Sequence, residues 1–223
     1  MPAPEFTLYG HFESGNVYKA ALLLALAGQA YDYRHVDIFA GATKDDGFTA
    51  MNTFQEVPVL LHDGNTLTQS DVILRYLADF TGRFGGRDEA ERRRIQEWMA
   101  WTSNKLTNGI SQARFGLRWA DYDLAVITFF QDRANAAFEL VDRHLTDREW
   151  LVGDGPSIAD ISAAGYIYLA GEAGLDLTQK RKMLAWMGRL SVQPGWHQPD
   201  KLPRQDAIVA PVATFDAPDD GEG

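Results

Sequence analysis

Apolar positions change period twice within the first eighty residues. In FTLYG, Phe6 and Leu8 alternate with polar partners, the two-residue period of a short strand. From Val17 the residues Ala20, Ala21, Leu24 and Ala27 recur at helical spacing up to Gly28, where a helix can close. Tyr31, Tyr33 and His35 return to alternation. Because the link from the first strand runs through a helix, the two strands are expected to pair in parallel as a βαβ unit. The polar segment GATKDDG leads to VPVLL, a third strand, and HDGN followed by TLT reads as a tight turn and its hairpin partner. Ser70 then precedes Val72, Ile73, Tyr76, Leu77 and Phe80, an amphipathic helix. Residues 1–80 thus predict a small α/β unit, β-α-β, connector, β-β-α, around a mixed four-stranded sheet.

Beyond residue 80 the two-residue period disappears. TGRFGGRDEAE, rich in glycine and mixed charge, suits a linker over 81–90. Ile95, Trp98, Met99, Thr102, Leu106, Ile110, Ala113 and Leu117 then form one helical stripe, and Leu124, Ile127, Phe130, Ala134, Ala137, Phe138, Val141 and Leu145 a second, predicting two long packed helices. SIAD, Ser157 to Asp160, resembles a capping box with an acid in the usual Glu or Gln position, and an apolar helix over Ile161 to Leu169 is expected after it. A last helix is predicted over Gln179 to Leu190, completing an all-helical domain over 91–203. From Arg204 to residue 223 the chain is polar, proline-containing and acidic, and a disordered tail is expected.

Charge and composition narrow the chemistry. A formal net charge of −10 over 223 residues argues against a nucleic-acid backbone as partner, which requires clustered Lys and Arg. The absence of cysteine excludes disulfides, thiolate metal sites and a cysteine nucleophile, so thiol chemistry must use a ligand's thiol. The start MPAPEFTLYG lacks a basic segment followed by an apolar run, and no run of about 18 uncharged apolar residues occurs, so a soluble, cytoplasmic protein without membrane association is expected. The five histidines show no paired ligand spacing, and no metal site is expected. A serine hydrolase lacks support, because no His/Asp pair is evident beside Ser14.

What remains is a set of anion-binding signals. ESGNVYK puts Ser14, Gly15 and Asn16 at a strand-to-helix junction, where short polar side chains and free N–H groups can meet a small anion. Ser14 could equally serve only as the helix cap. Pro58 interrupts a strand-like run, the mark of an edge or a special turn. Gln69 and Ser70 stand where a helix begins, so the Ser70 hydroxyl can cap it, bind a carboxylate, or both.

LYGHFESGNVYK, EVPVLL, LTQSDVILRYL and LVGDGPSIADISAAGY, in this order and spacing, resemble the cytosolic glutathione transferases over residues 5 to 200, most closely bacterial members with an SGN-x-Y-K start. The resemblance implies an α/β thioredoxin-like N-terminal domain, an all-α C-terminal domain and a homodimer built on the helix after Ser70 and the first long helix. It implies that Ser14 and Asn16 hydrogen-bond the thiol of glutathione and favour its ionised form. With a free thiol near a pKa of about 8.5, lowering it by roughly 2 units requires about 2.7 kcal/mol of preference for the thiolate.

The same resemblance implies a cis peptide before Pro58, leaving the Val57 backbone to pair with the cysteinyl part of glutathione. Gln69 and Ser70 would hold the γ-glutamyl carboxylate, Lys44 the glycyl carboxylate, and Asp71 would reach across the dimer to the γ-glutamyl amine. Two positions depart from the family pattern: Gln55 stands for a glycine, and Glu56 brings a negative charge beside an anionic peptide. A small hydrophobic electrophile is expected between the domains, near Phe12, Arg114, Phe115 and Trp119. Conjugation of glutathione to that electrophile is the leading expectation. A glutathione-dependent disulfide or peroxide reductase without an enzyme cysteine, and a non-catalytic binding protein of the same fold, are the alternatives.

Overall fold

A computed structural model describes residues 5–202. The expected tail over 204–223 lies outside the described residues. The N-terminal unit runs β1 (Phe6–Gly10), α1 (Gly15–Ala27), β2 (Tyr31–His35), α2 (Asp46–Met51), β3 (Val59–His62), β4 (Asn65–Thr68) and α3 (Ser70–Thr81). The strand order is β2-β1-β3-β4, with β1 parallel to β2 (Phe6 opposite Tyr31) and antiparallel to β3 (Phe6 opposite His62). This is the mixed sheet that the changes of period predict. The connector read as merely polar contains α2, whose Phe48 and Met51 are buried with Val36 and Val59 in a small second core.

The helical unit comprises α4 (Glu89–Trp101), α5 (Asn108–Phe115), α6 (Leu124–His144), α7 (Ile158–Ile167) and α8 (Arg181–Ser191). The stripe from Ile95 to Leu117 is one helical path, but two π-helical stretches interrupt it, Thr102–Thr107 between α4 and α5 and Gly116–Ala120 after α5. Each π turn advances the chain by an extra residue and rotates the residues beyond it, which corrects the predicted stripe: Leu117 is turned outward and exposed. Leu124, at the first turn of α6, is also exposed, whereas Ile127, Ala134, Ala137, Phe138 and Val141 are buried as the second stripe requires.

Two helices form the centre. Ten of the 13 residues of α1 are buried, because it packs against the sheet on one side and α3 and α7 on the others; hence the continuous apolar run ALLLALA rather than a one-sided stripe. All ten residues of α7 are buried, and its start is the capping box read from SIAD, with Ser157 and Asp160 as reciprocal partners. The helices touch through a pair of glycines. A Cβ on Gly15 would lie 2.7 Å from the Gly165 carbonyl oxygen, and one on Gly165 would lie 2.4 Å from Cγ of Lys19. This close approach brings the α1 N-terminus against the helical unit.

Candidate active site

Ser14 has extended backbone geometry and caps α1, its Oγ accepting from the Val17 N–H at 3.4 Å. The first turn of α1 contains no acidic residue, so its dipole is open to an anion. Behind Ser14 stands a residue the sequence did not single out. Tyr166 of α7 is buried, its ring lies against Gly15, and its phenol is near enough to the Asn16 N–H and the Ser14 side chain for both to bear on its titration. Burial pushes its phenol pKa up, with Arg114, the Asn16 N–H and Ser14 pulling against that rise. Of the backbone donors expected of the α1 N-terminus, that of Val17 is committed to Ser14. The Ser14 hydroxyl and the Asn16 side-chain amide are donors open to a ligand, beside the N–H groups at the very start of α1.

Asn16 also links the two helix starts, for the Ser70 hydroxyl donates to its Oδ1 at 3.3 Å. The peptide between Val57 and Pro58 is cis. Asn52 organises the loop before it, its Nδ2 donating to the Glu56 carbonyl at 2.7 Å and its Oδ1 accepting from the Phe54 N–H at 3.0 Å. Glu56 is exposed, and its carboxylate accepts from Gln69 Nε2 at 3.1 Å. The departure at position 55 now has a physical meaning, since Gln55 adopts a φ of +56°, a conformation that suits glycine. We expect Gln55→Gly to raise stability by up to about 1 kcal/mol in urea unfolding. A loss of stability would show that the Gln55 side chain makes a compensating contact.

Lys44 is exposed in a short 3₁₀ turn, Ala42–Lys44. Asp71 is engaged within its own chain, its Oδ2 accepting from Ser103 at 2.6 Å and its Oδ1 from Ser162 at 2.9 Å. It faces the fully buried Lys19, whose ammonium lies 3.5 Å from Thr107 Oγ1, and burial pushes that lysine's pKa down while Asp71 opposes the shift. Asp71 thereby joins α3 to the first π stretch and to α7.

Beside Ser14 opens a cleft of about 310 Å³ lined by Phe12, Glu13, Tyr18, Arg114, Glu172 and residues of the 192–202 segment. Arg114 is 5% exposed; it donates through Nε to Glu172 at 2.9 Å and through Nη1 to the Glu13 carbonyl at 2.8 Å. Arg118 pairs with Glu13 at 2.7 Å and with Glu172. Both guanidinium groups lie over the Trp119 ring, at 4.8 and 4.6 Å. Of the four expected electrophile contacts, Phe12 and Arg114 line the cleft. Trp119 stacks on Arg114 without lining the cleft, and the Phe115 ring lies 6.0 Å from that of Trp119. The second π stretch carries Arg118 and Trp119 into this cluster.

Tyr18 is buried and donates to the His197 carbonyl at 2.8 Å, which binds the 192–202 segment over the cleft. Tyr166, Glu172 and that segment were missed by the sequence reading. The only sequence signal for Tyr166 is a phenol inside a run, ISAAGYIYL, that is otherwise small and apolar.

The His11 and His35 rings sit 5.1 Å apart, both against the ring of Phe12. Burial, and then each other's charge in the case of His11, push their pKa values down; Glu13 and Asp37 oppose the shift, and Arg114 reinforces it at His11. The unfolded chain therefore binds more protons below about pH 6.5, so stability falls as pH drops from about 6.5 through the depressed folded-state values. A His11→Asn/His35→Asn variant should show a smaller fall in thermal midpoint than the parent between pH 7.5 and 5. An equal fall would remove these two groups from the account.

Residues 4–79 match the family model for the glutathione S-transferase N-terminal domain and residues 117–191 the model for its C-terminal domain. The chain is 31% identical over 195 residues to glutathione S-transferase GstB of Escherichia coli (strain K12), covering 84% of this chain and 94% of that protein. A glutathione S-transferase structure from Pseudomonas fluorescens superposes with a TM-score of 0.84 at 30% identity, covering 87% of this chain and 98% of that one. A theta class glutathione S-transferase from Xanthomonas axonopodis pv. citri, solved with glutathione bound, superposes with a TM-score of 0.80 at 26% identity, covering 89% and 96%.

Proposed function

The chain belongs to the cytosolic-type glutathione S-transferase family, and from that premise we propose that it binds glutathione beside Ser14 and conjugates its thiolate to a small hydrophobic electrophile. The observation that carries this reading is the hydrogen bond between Asn16 and Ser70, which puts the starts of α1 and α3 side by side. Two helix N-termini and three short polar side chains then face one small volume next to the cis-Pro58 loop, a setting suited to a ligand that carries a thiolate and a carboxylate.

In this assignment the Ser14 hydroxyl and the Asn16 amide donate to the sulfur. Tyr166 is a positioning residue that holds Ser14 through its buried hydroxyl. The Val57 backbone pairs with the cysteinyl unit, Ser70 and Gln69 take the γ-glutamyl carboxylate, and Lys44 the glycyl carboxylate. Glu56, held by Gln69, lies on the side where the γ-glutamyl ammonium would sit, so its charge can assist binding rather than oppose it. The bound thiol gives its proton to solvent water, the thiolate forms a carbon–sulfur bond with the electrophile, and the leaving group departs with the electron pair of the bond it breaks. No enzyme thiol is required, in keeping with a chain without cysteine.

Exposed Phe54, at the loop before Pro58, and exposed Val72, on α3, support assembly as a homodimer, which light scattering tests directly. A cytoplasmic location is part of the same proposal, and among the described residues no helix is long and apolar enough to cross a membrane. Ser70→Ala should weaken glutathione by about ten- to a hundredfold in calorimetry, the worth of one hydrogen bond to a charged group. Unchanged affinity would remove Ser70 from the site. Turnover of an activated chloronitroarene with glutathione separates an enzyme from a binding protein. Tight glutathione binding without turnover of electrophiles or disulfides would favour the second.

A further inference from the structure

The cleft beside Ser14 adjoins a second groove. Leu169, Glu172, Pro199 and Asp200 line both, and the groove, about 480 Å³ in volume, lies between the end of α7, α8 and the 192–202 segment. Its apolar floor is Tyr168, Met187 and Trp196; the Trp196 ring packs at 5.6 Å on Tyr168, whose hydroxyl donates to the Met187 carbonyl at 3.1 Å. The wall common to cleft and groove carries two carboxylates, and neither arginine of the cleft is free: Arg114 and Arg118 both pair with Glu172. Asp200 is paired as well, with Lys201 at 3.1 Å, so among the described residues the charges at this wall are already matched: a charged tail of either sign would be desolvated there with no free partner, whereas an uncharged apolar tail loses only water.

We propose that the groove behind Leu169 is the tail-binding half of the electrophile site, so that the protein's substrates are elongated, uncharged, apolar electrophiles whose reactive end lies at Ser14 and whose body passes under Pro199 to Trp196. This rests on the glutathione-conjugating reading above and specifies its substrate class. Tyr18 contributes by anchoring the roof, through its hydrogen bond to the His197 carbonyl. Full burial of each added methylene is worth about fourfold in affinity.

Gly188 offers the means of a test. It lines the groove, and a Cβ placed on it would have no atom within 4 Å, so a leucine there projects into open space, and it sits within α8, where leucine is the better helix former. The experiment is calorimetric binding of S-methyl-, S-hexyl- and S-decylglutathione to the parent protein and to Gly188→Leu, with Ser191→Phe as a second filling variant and thermal melts as a check on folding. S-decylglutathione should bind the parent at least about tenfold more tightly than S-hexylglutathione, Gly188→Leu should abolish that gain, and S-methylglutathione should bind both proteins equally. No gain from hexyl to decyl, or a gain that survives both filling variants, overturns the proposal while S-methylglutathione still binds. Failure of S-methylglutathione itself to bind the parent would instead overturn the glutathione reading on which the proposal depends.

Discussion

Replacing Asp160 by alanine is expected to lower stability by about 3–5 kcal/mol, the largest single loss foreseen in this chain. Asp160 is fully buried at the start of α7, and four donors converge on its carboxylate: Trp186 Nε1 at 2.8 Å, Ser157 Oγ at 2.8 Å, the Ser157 N–H at 2.9 Å and the Leu151 N–H at 3.0 Å. Burial pushes the carboxyl pKa up and the four donors pull it back. Alanine removes the shared acceptor and leaves those donors buried without it, which is the costly half of breaking a buried polar network. The effect reaches the site, because α7 presents Gly165 and Tyr166 to the start of α1. Urea unfolding should show a lower midpoint with an unchanged slope, and Asp160→Asn, which keeps one acceptor oxygen, should recover part of the loss. A loss under about 1 kcal/mol for alanine would mean that α7 is held by packing alone.

The second large effect concerns rate. Removing both donors, in Ser14→Ala/Asn16→Ala, should cut conjugation about 25-fold at pH 7 and approach a hundredfold only well below pH 6.5, since losing roughly 2.7 kcal/mol of preference for the thiolate returns the thiol pKa from about 6.5 to about 8.5 and the ionised fraction at pH 7 from about three quarters to about 3%. Each single variant should cost less. Asn16→Ala should also weaken glutathione binding, because it releases Ser70 as well as the sulfur contact. Tyr166→Phe distinguishes a positioning role from a structural one: it keeps the ring packed on Gly15 while removing the hydroxyl from Ser14 and Asn16, so the rate should fall and the pH profile move to higher pH with little change in melting temperature. A variant that merely loosens the fold would lower the melting temperature and leave the pH profile where it was. If the double variant retains parental rates, Ser14 is only the cap of α1, the role its 3.4 Å bond to the Val17 N–H also fills.

These residues differ in how far the sequence exposed them, and the reason is distance along the chain. The βαβ start, the hairpin and the capping box are local: their periods and turn residues lie within a few positions of one another, and they stand as predicted. Pro58 was legible because a proline inside a strand-like run has few explanations. The π stretches were not, since apolar spacing from Ile95 to Ala113 still averages a helical period; only the outward turn of Leu117 betrays them. Tyr166, Glu172 and the 192–202 segment reach Ser14 from about 150 residues or more away, through the Gly15–Gly165 contact and the Tyr18–His197 bond. Nothing near them in sequence announces that approach. The intrachain role of Asp71 was hidden for the same reason: its partners, Ser103 and Ser162, come from the helical unit.

The central claim is that Ser14 and Asn16 stabilise a thiolate, and the ultraviolet absorbance of the glutathione thiolate, followed across pH with the protein in excess, tests it most directly. The account predicts that bound glutathione ionises near pH 6.5, about 2 units below the free thiol, and that the shift is lost in Ser14→Ala/Asn16→Ala. Saturable binding with a thiol that still titrates near its free value of about 8.5 would contradict it, leaving a glutathione-binding fold whose Ser14 and Asn16 do not activate the sulfur.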